Sequence, residues 1–337
     1  MVVPVSFVAA CAGADDVFII STIPDGLEEE ADYTRIYFLS PNGQDLWSYR
    51  DWPGHQAVSI CVRKATAERP RASCALSEKG WVRIANSLGD KFEQIPGVGL
   101  TDGRELGNVT CIREIGTTLF VCGDYGQVYR RDASGWTAID EELVALGRSV
   151  QDLPLPDEAT LTDDILRQFT QSMREAPNFI EIDGTSEDDV YVCGLGGNLF
   201  HFDGVSWSKI ETGTDGVLTG IHCVSEDEVW VVGQYGAVLR GNVRSGFQSL
   251  GEFFPENYIW SVRVFQGKVY FGTTHGLYVF ANGRPQLITS GKLNERSPII
   301  CLDSFSDDVL WIATNRHAFR YDGSSFEFFE HQDNTAF

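Results

Sequence analysis

Residues 219–241, TGIHCVSEDEVWVVGQYGAVLRG, set out a pattern that the rest of the chain repeats. An apolar strand leads into an acidic turn, then a second strand that ends in glycine, a short turn and a third strand. A fourth strand, often opening on an aromatic residue, completes the unit. Copies at 109–139, 179–210, 259–289 and 299–329 share this order, with second strands starting near Leu119, Val190, Val229, Val269 and Leu310. Their separations are 71, 39, 40 and 41 residues. Two weaker copies precede them. In 5–21, Asp15-Asp16-Val17-Phe18 matches Asp188-Asp189-Val190-Tyr191; another copy covers 57–97, with a long first turn and a fourth strand near Phe92.

About forty residues carrying four short strands are the signature of one propeller blade. A lone four-stranded sheet cannot bury both faces, and radial packing of blades around an axis solves that problem. The expected fold is therefore all-β: a single β-propeller domain over 1–337, with seven four-stranded blades and one helical insertion. Six or eight blades are the alternatives, and the pattern leaves open whether the N-terminus completes the last blade.

The 71-residue spacing marks an insertion over 140–177, between two blades. It passes through Leu153-Pro154-Leu155-Pro156, and a helix is predicted over 157–175, where Leu161, Ile165, Phe169 and Met173 fall at i, i+4 spacing. Prolines 154, 156 and 177 bound it. The stripe is expected to lie against the propeller edge, in an appendage that could also meet a partner.

Residues 1–14, MVVPVSFVAACAGA, contain Val8-Ala9-Ala10-Cys11, which looks like a lipoprotein cleavage box. The charged leader region is missing and the apolar stretch is short, so Ser6 to Ala10 reads better as a buried strand.

Charge narrows the function. With 26 basic and 48 acidic residues the formal charge is -22, which argues against binding a phosphate backbone or an anionic lipid surface. No apolar run is long enough to span a bilayer as a helix. The expectation is a protein partner, with neither nucleic acid nor membrane. The eight cysteines fall at repeat positions: Cys122 and Cys193 end second strands, while Cys61, Cys111, Cys223 and Cys301 lie on or near first strands. No C-x-x-C pair occurs. They read as small buried hydrophobes in a reducing compartment, which points to the cytoplasm.

Catalytic motifs are missing. There is no G-x-S-x-G, H-E-x-x-H or G-x-x-x-x-G-K-[ST]. His275 and His317 share one kind of turn, but no matching carboxylates complete a ligand set, so neither a metal nor another cofactor is expected. The Gly-x-x-Gly turns at 123–126, 194–197 and 233–236 precede strands rather than helices, so no helix dipole faces a phosphate.

Around Trp230-Val231-Val232-Gly233, Gly236 and Asp203-Gly204-Val205-Ser206-Trp207, the repeat resembles the bacterial neuraminidase-repeat propellers, most nearly the photosystem assembly-factor type. The resemblance implies a propeller in which Asp203–Trp207 and Asp322–Phe326 are structural turns between third and fourth strands. It implies no catalytic residue.

On that fold the first-to-second turns gather Asp15-Asp16, Glu187-Asp188-Asp189, Glu226-Asp227-Glu228 and Asp307-Asp308 into part of an acidic ring. The opposite face receives Tyr125, Leu195, Tyr235, His275, Arg316 and His317, together with the insertion. Both faces are candidate partner surfaces. The reading that best joins these features is a non-catalytic propeller, an intracellular immunity protein that binds and neutralises a toxin, its partner a basic toxin or effector. The alternatives are an assembly chaperone or scaffold, and a sialidase-like glycan hydrolase or lyase. Arginines and carboxylates converging on the axis would favour the enzyme.

Overall fold

The computed structural model describes residues 3–27, 32–99, 104–151, 162, 164, 165, 167, 176–254 and 257–334. Its 28 strands form seven antiparallel sheets of four, each made of strands consecutive in the chain. The seven-bladed propeller read from the repeat is the fold. The segment read as a strand is one: Val5–Ala14 opens blade 1.

First strands form the inner wall. They are Val5–Ala14, Ala57–Arg63, Val109–Ile115, Phe179–Ser186, Leu218–Ser225, Ile259–Phe265 and Ile299–Asp303, and each packs on the next around the ring. Every one carries a register shift near its start, at Val8, Val58, Thr110, Ile180, Thr219, Trp260 and Ile300. A bulge adds twist and re-aims a side chain, so these seven residues stand apart from the alternation that follows. Blades are latched by polar side chains reaching across. Ser59 and Ser261 hydroxyls accept from the N–H of Ile112 and Leu302, both at 3.1 Å. Asp183 and Asp303 carboxylates accept from Cys223 and Ala12, both at 2.8 Å.

The outer strands bury their apolar positions between blades, in clusters that each draw on neighbouring sheets. Aromatics near the start of fourth strands, such as Trp136, Trp207, Phe247 and Phe326, pack into these clusters. The turns before them are held as expected. Asp203 Oδ1 accepts from the N–H of Val205 and Ser206, and Asp322 Oδ1 from Ser324 and Ser325.

The ring closes without strand exchange. Phe7 N–H donates to Asn315 O at 2.9 Å, and Trp311 stacks on Phe18 at 5.0 Å. Residues 330–334 then cross onto blade 1. Asn334 Oδ1 accepts from Val5 N–H at 2.9 Å, and its amide donates to the carbonyls of Val5 and Arg316. His331 is buried against Phe7, Tyr37 and Trp47.

The insertion carries a helix that the sequence did not mark, Glu141–Gln151, upstream of the one expected over 157–175; within that range the described residues 164, 165 and 167 are helical. Leu161, Phe169 and Met173 of the predicted stripe lie outside the described residues; Ile165 is described and exposed. The observed helix is anchored at its start. Asp140 is buried, pairs with Arg104 at 2.6 Å and accepts from Val128 N–H at 2.8 Å. Glu141 and Glu142 in the first turn and Arg148 in the last suit the helix dipole. Leu143 and Val144 face inward, too few apolar positions to make a visible stripe. Gly147 also lowers the helical signal, yet a Cβ there would lie 2.8 Å from the Tyr125 carbonyl oxygen.

Candidate functional site

After the bulge, each first strand returns to strict alternation, and this builds two axial tiers. The upper tier is Ala9, Ser59, Cys111, Glu181, Gly220, Ser261 and Cys301; two residues on come Cys11, Cys61, Arg113, Asp183, His222, Arg263 and Asp303. All fourteen line an axial funnel of about 490 Å³. The residue between the tiers points into the blade interface instead, as Ile60, Ile112, Ile182 and Leu302 do.

Titratable pairs in the funnel run between adjacent blades. Arg113 meets Glu181 at 2.9 Å, His222 Nδ1 lies 3.8 Å from Asp183, and Arg263 meets Asp303 at 3.3 Å. Arg263 also donates to Ser304 Oγ at 3.0 Å and Ser304 O at 2.8 Å. The Cys111 thiol donates to Glu181 Oε1 at 2.9 Å. Burial raises the Glu181 carboxyl above its usual range, outweighing Arg113. For Asp183 burial acts the same way, but the His222 contact prevails and holds the carboxyl low. Burial, helped by Arg263, lowers the His222 imidazole.

Arginines and carboxylates thus do converge on the axis, the arrangement expected to favour an enzyme. Here each arginine closes a pair with the neighbouring blade, so the charges brace the ring. His222 and Asp183 are, among the described residues, the His–carboxylate pair of the funnel; a closer such pair, His201 with Asp189 at 2.8 Å, lies outside it. Among the described residues no group of three or more His, Cys, Asp and Glu is placed to hold a metal ion.

All eight cysteines are free thiols, six of them buried. Burial pushes up the thiols of Cys11, Cys111, Cys122, Cys193, Cys223 and Cys301, that of Cys301 to about 12. A thiol labelling reagent should therefore react slowly with native protein and reach all eight thiols only on unfolding. Fast native labelling, or disulfides found by mass spectrometry after non-reducing denaturation, would contradict this.

On the face of first-to-second turns, Asp16, Asp188, Glu226, Asp227, Asp307 and Asp308 are exposed. They form an arc over blades 1, 4, 5 and 7. Asp189 does not belong to it: the side chain is buried and meets His201 Nε2 at 2.8 Å. Glu187 is occupied by Thr118, whose hydroxyl donates to it at 2.6 Å. Arg244 pairs with Glu226 and Asp227 at 3.3 and 3.0 Å, and Glu228 takes Arg240 and the Trp230 indole N–H.

On the opposite face Leu195, Tyr235 and His275 are exposed, as the sequence predicts. Tyr125 is half-buried, because the insertion helix packs on its turn. Arg316 is half-buried and closes the ring, paired with Asp25 at 2.6 Å and donating to Val5 O. His317 is half-buried against Phe328. Sequence reasoning missed Tyr258 and Trp260 on this face, whose rings stack at 4.7 Å and 8°. It also missed the axial tiers, although the alternation Cys111-Ile112-Arg113 carries their register.

No family model matches the chain. A relative does. Over 251 residues the chain is 27% identical to a protein named immune protein Tsi7, from Pseudomonas aeruginosa, covering 74% of this chain and 72% of that protein. Solved structures with the same fold include YCF48 bound to a D1 peptide, 12% identical with a TM-score of 0.61, covering 95% of this chain and 94% of that one. Another is virginiamycin B lyase from Staphylococcus aureus with quinupristin, 10% identical with a TM-score of 0.62, covering 92% of each chain. At those identities the two structures speak for the fold alone. They agree with the architecture implied by the repeat.

Proposed function

We propose that this chain is an immunity protein that binds a toxin protein and holds it inactive, without catalysis of its own. The similarity to an immune protein over three quarters of the chain carries this reading. The propeller supplies two broad faces and many loops, which suit a protein partner. Inter-blade pairing of the axial charges supports a structural role for them. The cytoplasm is the proposed compartment, supported by the eight free thiols.

The partner is proposed to be basic. With a net charge of -22, association with such a partner should slow as ionic strength rises. The test uses the product of the neighbouring reading frame, with association measured at low and high salt. Joint Glu226→Gln and Asp227→Asn substitution reports on the acidic arc; Glu228 is left intact because it holds Trp230. Capture of no protein partner, together with turnover of a glycan substrate, would exclude the binding reading.

A further inference from the structure

One position in the inner wall breaks the repeat. At six of the seven bulges the residue is valine, threonine or isoleucine; in blade 6 it is Trp260. Its side chain lines the funnel mouth, yet the residue is 42% exposed, a large apolar surface left in water. The ring is held firmly. Tyr258 stacks on it at 8°, its indole N–H donates to Thr274 Oγ1 at 3.1 Å, and Tyr258 bridges Gln234 of blade 5. A rigid aromatic pair presented to solvent loses little freedom when a partner covers it.

The surroundings extend the patch. Tyr235 is 43% and Leu195 39% exposed on the same face, in blades 5 and 4, and Val8 stands exposed elsewhere on the funnel mouth. Tyr235 takes a left-handed conformation, φ 60, where the equivalent residue of blade 4 is Gly196. Around this arc Glu211 and Asp215 are exposed in the loop that enters blade 5, whereas Glu295 shares the loop entering blade 7 with exposed Lys292 and Arg296. An apolar centre with a charged rim has the anatomy of a protein-binding site. Glu211 and Asp215, in the loop that packs against Tyr235, would attract a basic surface there.

We propose that the funnel mouth around stacked Tyr258 and Trp260 is the toxin-docking site, and that it receives an apolar protrusion flanked by lysine or arginine. This rests on the immunity reading above. The pair acts as the anchor, and Glu211 and Asp215 set orientation and association rate.

Affinity is measured between the purified chain and the purified product of the neighbouring reading frame. Trp260→Ala should weaken binding at least about thirty-fold, chiefly through faster dissociation, while Trp260→Phe retains most of it. Tyr235→Ser, on a separate turn, should weaken it about ten-fold, and Glu211→Lys with Asp215→Lys should slow association. Circular dichroism and melting temperature confirm that each variant is folded. Wild-type affinity in both Trp260→Ala and Tyr235→Ser, with loss only in the Glu226 and Asp227 variant, would place docking on the other face and overturn the proposal. It would leave the immunity reading standing. Failure of the unaltered chain to bind would sink that reading instead. Dimerisation of the unaltered chain, abolished by Trp260→Ala, would assign the patch to a second copy and likewise overturn the proposal.

Discussion

Replacing Trp311 with alanine is expected to lower unfolding stability by about 3–5 kcal/mol, the range for removing a large aromatic from a packed core. Trp311 is fully buried at the seam between the last blade and the first. Its ring lies parallel to Phe18, at 3°, and its indole N–H donates to Ala14 O at 2.9 Å. Alanine leaves a cavity that the rigid sheets on either side cannot collapse to fill, and it strands that carbonyl. No strand is shared between blades 7 and 1, so side-chain packing carries more of the closure here. Leu88→Ala, at a position 85% exposed, should change stability by less than about 0.5 kcal/mol. Urea unfolding of both variants gives the comparison. Equal small effects would mean that the seam is not closed by Trp311.

His331 should make the same seam acid-sensitive. Burial among Phe7, Tyr37 and Trp47 lowers the imidazole from near 6.5 to about 4, outweighing Asp333; His317 and Arg35 press in the same direction as burial. Nδ1 accepts from the Asp333 N–H at 3.2 Å, while Nε2 has no hydrogen-bond partner among the described residues. Between those two values the unfolded chain binds a proton that the native ring refuses. Stability is therefore lost as pH falls from 6.5 toward 4, by about 2–3 kcal/mol at pH 4.5 from this residue. His331→Phe should remove that component. Unfolding curves at pH 7 and 4.5 for both proteins isolate it, since the carboxylates that also titrate are common to them. A pH dependence unchanged in His331→Phe would contradict the assignment.

Blade count and blade position were legible because the second strands, buried on both sides, keep their apolar runs in most units, and three of them, Thr118–Gly123, Asp189–Gly194 and Glu228–Gly233, end in glycine. What the pattern could not carry was information held in space. Asp189 sits in an acidic turn beside Asp188, and only the third strand bringing His201 across explains why one is buried and the other exposed. The insertion helix lacked a stripe because two residues, Leu143 and Val144, with a close backbone approach at Gly147, suffice to dock it. The stripe at 161–173 drew attention away from it. Tyr125 and Arg316 look like surface residues in sequence; the helix covers one, and ring closure uses the other. Trp260 needed the bulge register to be seen. Without it, Ile259-Trp260-Ser261 reads as ordinary alternation, and the tryptophan is taken for a strand residue like any other.

The axial charges offer a way to separate binding from catalysis. Asp183→Asn with His222→Gln removes the His–carboxylate pair of the funnel while leaving both outer faces untouched. An immunity protein should keep its toxin affinity after that change, whereas a lyase or hydrolase should lose turnover.

The most direct measurement of toxin neutralisation is growth of cells that express the product of the neighbouring reading frame, with and without this chain, alongside size-exclusion chromatography of the purified pair. An immunity protein restores growth and elutes in a stable complex with that product, and it does so equally with Asp183→Asn and His222→Gln in place. Unrestored growth with no complex, or rescue that disappears in that axial variant while the complex persists, would contradict neutralisation by binding.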